Sequence, residues 1–181
     1  MRRPATGLSL VELAATLAVG AVLLALAIPS FMHLRGTTLL GGAAQEFLSD
    51  FRFARSEAIR RGDVVMLCRV ASATDTDCAT TASARGWADG WIVAHDRNRN
   101  QSIEADEVLR RHEGWQAAVS IADSRGTPRP IQFAPAGRLL NLSSAATLRF
   151  AGDGAAQASA PLCLSISMGA RTQMLKGAEC A

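Results

Sequence analysis

The sequence predicts an α+β protein in which one long N-terminal helix carries antiparallel β-sheets on its second half. Three observations predict it. Leu8 to Ile28 is almost wholly aliphatic, and a helical spacing of apolar residues continues beyond it to Arg61. After Gly62 that period gives way to short β-forming runs separated by turn residues. With 181 residues, 49% of them apolar and 19% charged, the chain has room for one modest core beyond the aliphatic segment.

The aliphatic segment comes first. As a helix, about 21 residues span roughly 30 Å, the thickness of a bilayer core. Arg2 and Arg3 precede it, and three readings compete. One is a secretory signal cut at Ala25-Leu26-Ala27, and another is a plain transmembrane anchor. Neither gives a purpose to Glu12, whose carboxylate costs about 2.5–3.5 kcal/mol inside such a run. The third reading does. Gly7-Leu8-Ser9-Leu10-Val11-Glu12 resembles the prepilin peptidase motif, a short basic leader ending in Gly with Glu five residues on. The resemblance implies cleavage by prepilin peptidase after Gly7 and N-methylation at Leu8. It also implies that Glu12 neutralises the amino terminus of a neighbouring subunit. Pro29 stands where pilins commonly carry a helix-kinking proline.

The helix is expected to continue past this segment. Leu40, Phe47, Phe51, Ala54 and Ala58 mark one apolar face, and Glu46, Asp50, Arg52, Arg55, Glu57 and Arg61 populate the remainder. Glu57 and Arg61 form an i,i+4 pair, and Gly62 is a natural stop. Gly36, Gly41 and Gly42 weaken the middle, so a local break is expected there. Residues 1–7 are thus read as a leader and residues 8–62 as the helix. Its first part, 8–29, is the transmembrane and assembly half, and 30–62 is the amphipathic half. Residues 63–181 are the β-rich head, in the periplasm.

Eight β-forming runs follow: Val64–Val70, Trp87–Ala94, Val108–Arg111, Ala117–Ile121, Ile131–Phe133, Thr147–Phe150, Leu162–Met168 and Arg171–Leu175. Pro128, Pro130, Pro135, Gly137 and Gly154 lie in the connections. The cysteines fall into two sequence-local pairs, Cys68 with Cys78 and Cys163 with Cys180, without zinc-ligand spacing. In a domain beyond the membrane they are read as two disulfides, with local pairing favoured among three connectivities.

Here a narrower resemblance is legible. Phe51 to Gly62 followed by Val65-Met66-Leu67-Cys68, and Gly86 to Val93 leading into Asp96-Arg97-Asn98-Arg99-Asn100, are similar to the GspH/FimT family. That family comprises minor pilins of type IV pili and pseudopilins of type II secretion systems. The resemblance implies a β-sandwich head on the long helix and a structural subunit that primes or caps a fibre. It implies other pilins or pseudopilins as partners and a single pass through the inner membrane. The alternative it implies is a FimT-like, pilus-borne receptor for double-stranded DNA in natural transformation.

The remaining candidate sites are local. Asp96, Asn98, Asn100 and Glu107 have EF-hand-like spacing, but Gln101 replaces the glycine of the sharp turn, so calcium is the lesser reading beside a polar hairpin loop. Trp87, Trp91 and Trp115 suggest an aromatic surface, with core packing favoured for Trp91. His33, His95 and His112 are scattered, no nucleophile–base spacing occurs, and neither catalysis nor a cofactor is expected. The net charge is +3, and without Arg2 and Arg3 the 17 basic residues nearly balance 16 acidic ones, so any polyanion site must be local. DNA-binding FimT-type proteins carry a Gly-Arg-x-Arg element on the last hairpin, and Gly169-Ala170-Arg171 followed by Lys176 matches it in part. Arg171, Lys176, Arg149 and Arg138 are the candidates for DNA contact, through phosphates.

Overall fold

The computed structural model describes residues 9–72, 74–100, 102–115, 119–126, 129–142, 144–152 and 159–180. Within the helix, the side chains of residues 26–30, 32 and 33 fall outside that description, as do Gly7 and Leu8 entirely.

Helix α1 spans Leu10–Arg61. Ser9, extended at ψ 152°, caps it: its hydroxyl accepts from the Glu12 N–H at 3.2 Å, and the Glu12 carboxylate accepts from the Ser9 N–H at 2.9 Å. Gly62, in the left-handed region at φ 65°, closes the other end by donating to the Ala58 carbonyl. The helix runs through Pro29, Gly36, Gly41 and Gly42 without interruption, so the expected break is absent. Tertiary packing outweighs the roughly 1 kcal/mol that each glycine costs. Leu40, Ala43 and Ala44 are already buried there, and a Cβ on Gly42 would meet Trp115 Cη2 at 3.5 Å.

The head is two antiparallel sheets. Strands β1 (Val65–Arg69), β2 (Trp91–Ala94), β3 (Val108–His112) and β5 (Ile131–Phe133) form the first, in the order β3-β2-β1-β5. Strands β4 (Val119–Asp123), β6 (Ala146–Gly152), β7 (Leu162–Ile166) and β8 (Thr172–Lys176) form the second, in the order β4-β6-β7-β8. All eight expected strands are present, with one correction. Trp87–Ala94 is not a single strand: Trp87–Asp89 is a 3₁₀ turn, and only Trp91 onward joins the sheet. Gly86 at φ 60° and Gly90 at φ 131° set that turn, and Gly90 has the His112 carbonyl 2.9 Å from where a Cβ would sit.

Both sheets pack on the second half of α1. Phe47 touches Trp87 and Trp91 edge-on with ring centroids 5.3 Å away in each case, and Phe150 of the second sheet at 6.2 Å. Phe51 meets Phe133 of β5 at 4.8 Å. One helix face therefore closes a single core across both sheets. Disulfides Cys68–Cys78 and Cys163–Cys180 tie β1 to the following loop and β7 to the C-terminal 3₁₀ turn Gly177–Cys180.

Candidate functional site: a bare helix half and the faces of the head

Among the described residues, the first half of α1 buries no large side chain. Leu10, Val11, Leu17, Val19, Val22, Leu23 and Leu24 are each more than 60% exposed, while Leu40, Phe47, Ala54 and Ala58 are fully buried. Among the described residues, no helix is long and apolar enough to cross a membrane, and the described side chains of this half stop at Ala25. Glu12 is engaged in the capping box rather than standing free.

Two acidic residues expected on the solvent side of α1 are buried instead. Asp50 accepts from Trp91 Nε1 at 2.8 Å and from Arg110 Nη1 at 2.9 Å, and Arg110 lies 3.9 Å from the centre of the Phe53 ring. The signal was in the sequence: Asp50 follows Phe47 by three and precedes Ala54 by four, which places it on the apolar stripe. Glu57 accepts from Arg60 at 2.6 Å and Arg61 at 2.8 Å. Its pKa is lowered to about 2, chiefly by the Arg60 hydrogen bonds, with burial opposing and Arg61 assisting. His112 stacks on Trp91 with centroids 3.8 Å apart and meets Glu46 at 2.7 Å. No local motif announces the two contacts of His112, whose members lie far apart in sequence.

The aromatic surface does not form. Trp87 and Trp91 are core residues on Phe47, and Trp115 is half-buried beside α1. In the β2–β3 loop, the acidic and amide oxygens mostly serve the loop itself. Asp96 and Asn98 accept from the Asn100 N–H, and the Asn98 and Asn100 amides donate to Glu104. Glu107 is buried and accepts from the Arg97 N–H at 2.8 Å. Its carboxyl is held below the usual range, first by hydrogen bonding with Glu104, then by backbone N–H groups, against its burial. Among the described residues, no group of three or more His, Cys, Asp or Glu is placed to hold a metal ion.

The four cations named for DNA do not share one face. In the second sheet Arg149 pairs with Cys163 and Cys163 with Leu175, while Lys176 stands opposite Leu162 in the adjacent row. Adjacent rows project to opposite faces, so Arg149 and Lys176 are separated by the sheet. Lys176 lines a cavity of about 370 Å³ with Leu40, Gly41, Leu162 and Met174. Arg171 lies at the far end of β8, beside the β7–β8 turn. Only the segments that carry Arg138 and Arg171 come together, each resting against Arg55 through the preceding residue. The turn at Gly137 sits on α1, where an added Cβ would be 3.2 Å from Arg55 Nε and 2.8 Å from Ile59 Cδ1. Arg55 Nη1 in turn donates to the Ala170 carbonyl at 3.2 Å.

A helix half embedded in a two-sheet head, with its other half bare, is the pilin fold. The crystal structure of the type IV minor pilin FimU from Pseudomonas aeruginosa (strain PAO1) in space group P21 is similar, with a TM-score of 0.59 and 22% identity, over 80% of this chain and 97% of that one. A second crystal form of FimU, P65, matches with a TM-score of 0.56 and 21% identity, over 78% and 99% of the two chains. Among curated protein sequences none matches. The family model described as type II transport protein GspH matches residues 43–170. The chain belongs to the GspH family.

Proposed function

We propose that this protein is a minor pilin or pseudopilin, a structural subunit that primes or caps a type IV pilus or a type II secretion pseudopilus. The observation that carries the reading is the bare half of α1. A row of leucines and valines more than 60% exposed needs a cover, and a membrane followed by the helices of neighbouring subunits supplies one. In this reading prepilin peptidase cuts after Gly7, Leu8 is N-methylated, and residues 8–29 hold the chain in the inner membrane with the head in the periplasm until it joins the fibre. Glu12 then exchanges its own Ser9 N–H for the amino terminus of an adjacent subunit, which gives an intramembrane carboxylate a cationic partner.

Mass spectrometry of the protein from cells that express prepilin peptidase tests this. An N-methylated Leu8 start is expected; retention of Met1, or a start at Ile28, overturns it. The FimT-like reading, a receptor for double-stranded DNA, keeps Arg138 and Arg171 on adjoining segments but not Lys176 and Arg149. Its test is a mobility shift with the head, in which Arg171→Ala weakens binding and binding falls steeply with salt.

A further inference from the structure

The end of the head around Arg55 gathers positive charge from three segments. Arg52 and Arg55 lie one turn apart on α1, Arg138 follows the Gly137 turn that rests on Ile59, and Arg171 follows Ala170, whose carbonyl Arg55 binds. None of these four arginines makes an ion pair among the described residues. By contrast Arg60, Arg61, Arg69, Arg97, Arg99, Arg110 and Arg125 each reach a carboxylate. Arg55 is half-buried with a single carbonyl partner, and its Nε, covered by the Gly137 turn, has no hydrogen-bond acceptor. A partly desolvated guanidinium with no counter-charge favours a carboxylate brought from outside.

The same segments carry large exposed apolar side chains. Ile59 is 54% exposed and Met168 56% exposed, and Met168 is held beside the Arg138 segment by the Leu139 N–H donating to its carbonyl at 3.2 Å. Apolar side chains ringed by arginines have the make-up of a protein contact, with an apolar centre and a charged rim. A surface reading phosphates alone has no use for Ile59 and Met168. We infer that Arg52, Arg55, Arg138 and Arg171, around Ile59 and Met168, form a docking face for an acidic surface of another protein chain, one that places Asp or Glu beside an apolar side chain. The inference stands apart from the fibre reading, since an acidic partner outside any fibre would satisfy it.

A photoreactive amino acid at Ile59, or separately at Met168, in the full chain expressed in its own cells tests the inference. The expected product is a cross-link to a protein segment that carries Asp or Glu beside the linked residue. Paired Arg138→Glu and Arg171→Glu substitutions should lower its yield at least tenfold, and the neutral pair Arg138→Gln and Arg171→Gln should give an intermediate yield. Intact disulfides in both variants show that the head still folds. A cross-link to nucleic acid or lipid, a protein product indifferent to both pairs of substitutions, or no product at all overturns the inference. An unprocessed N-terminus would count against the fibre reading alone.

Discussion

Asp50 shows how a charged residue can be structural. Its two oxygens serve an indole N–H and a guanidinium, so α1 is pinned to β2 and β3 by the same carboxylate. Asp50→Ala leaves the Trp91 N–H buried without an acceptor, and the head is expected to lose about 2–3 kcal/mol, read from the urea midpoint. Asp50→Asn should lose less, because it keeps an acceptor. Glu57 gives a pH dependence with a definite sign. Its folded pKa of about 2 lies below the ordinary glutamate value of 4.5, so its contribution is complete above pH 4.5 and is lost as pH falls toward 2. Acid unfolding of Glu57→Gln should show a flatter slope across that window than the wild type, and an unchanged slope would remove Glu57 from the account. Part of this is legible in the sequence. Asp50 lies at helical spacing between Phe47 and Ala54, but which strand residue meets it is fixed only by tertiary packing, across 41 and 60 positions.

At the scale of elements, the period of the chain carried most of the information. The long apolar-to-amphipathic helix and its Gly62 stop are local signals, as are the β-forming runs, and each appears as an element. Two features were not local. The glycines at 36, 41 and 42 favour a break on propensity, which counts backbone entropy alone, whereas the buried Leu40, Ala43 and Ala44 hold the helix across them. The Trp87 segment has β-forming composition, yet the glycines on both sides bend it into a turn that presents Trp87 to Phe47. The Gly137 turn follows the same logic. At φ 72°, and with Ile59 Cδ1 2.8 Å from an added Cβ, Gly137→Ala should destabilise the head by about 1–3 kcal/mol in thermal melts. Gly126→Ala, also at positive φ (73°) but with nothing within 4 Å of an added Cβ, separates backbone strain from the clash.

The whole molecule divides by burial rather than by a linker, since one helix belongs to both halves. The core begins at Leu40, so a chain starting near residue 36 should fold as a soluble monomer with both disulfides formed, by circular dichroism and thiol titration. The full chain, with its exposed leucines, should stay dispersed only in detergent or lipid. The sequence made the architecture legible because a switch of period marks both the helix and the head. The faces of the head were less legible. The segments of Arg138 and Arg171 are neighbours only because the Gly137 turn and the β7–β8 turn both land on Arg55, and Arg149 and Lys176 part because a one-residue step in a strand reverses the face.

The way α1 is held has a mechanical side. Among the described residues, no backbone hydrogen bond joins it to either sheet. It is gripped by interlocked side chains, Phe47 and Phe51 foremost, and by the polar clasps at Asp50 and Arg55. Tension applied along the helix axis therefore reaches the head as shear over a broad packed surface, shared by two sheets at once. No single ladder can be unzipped rung by rung.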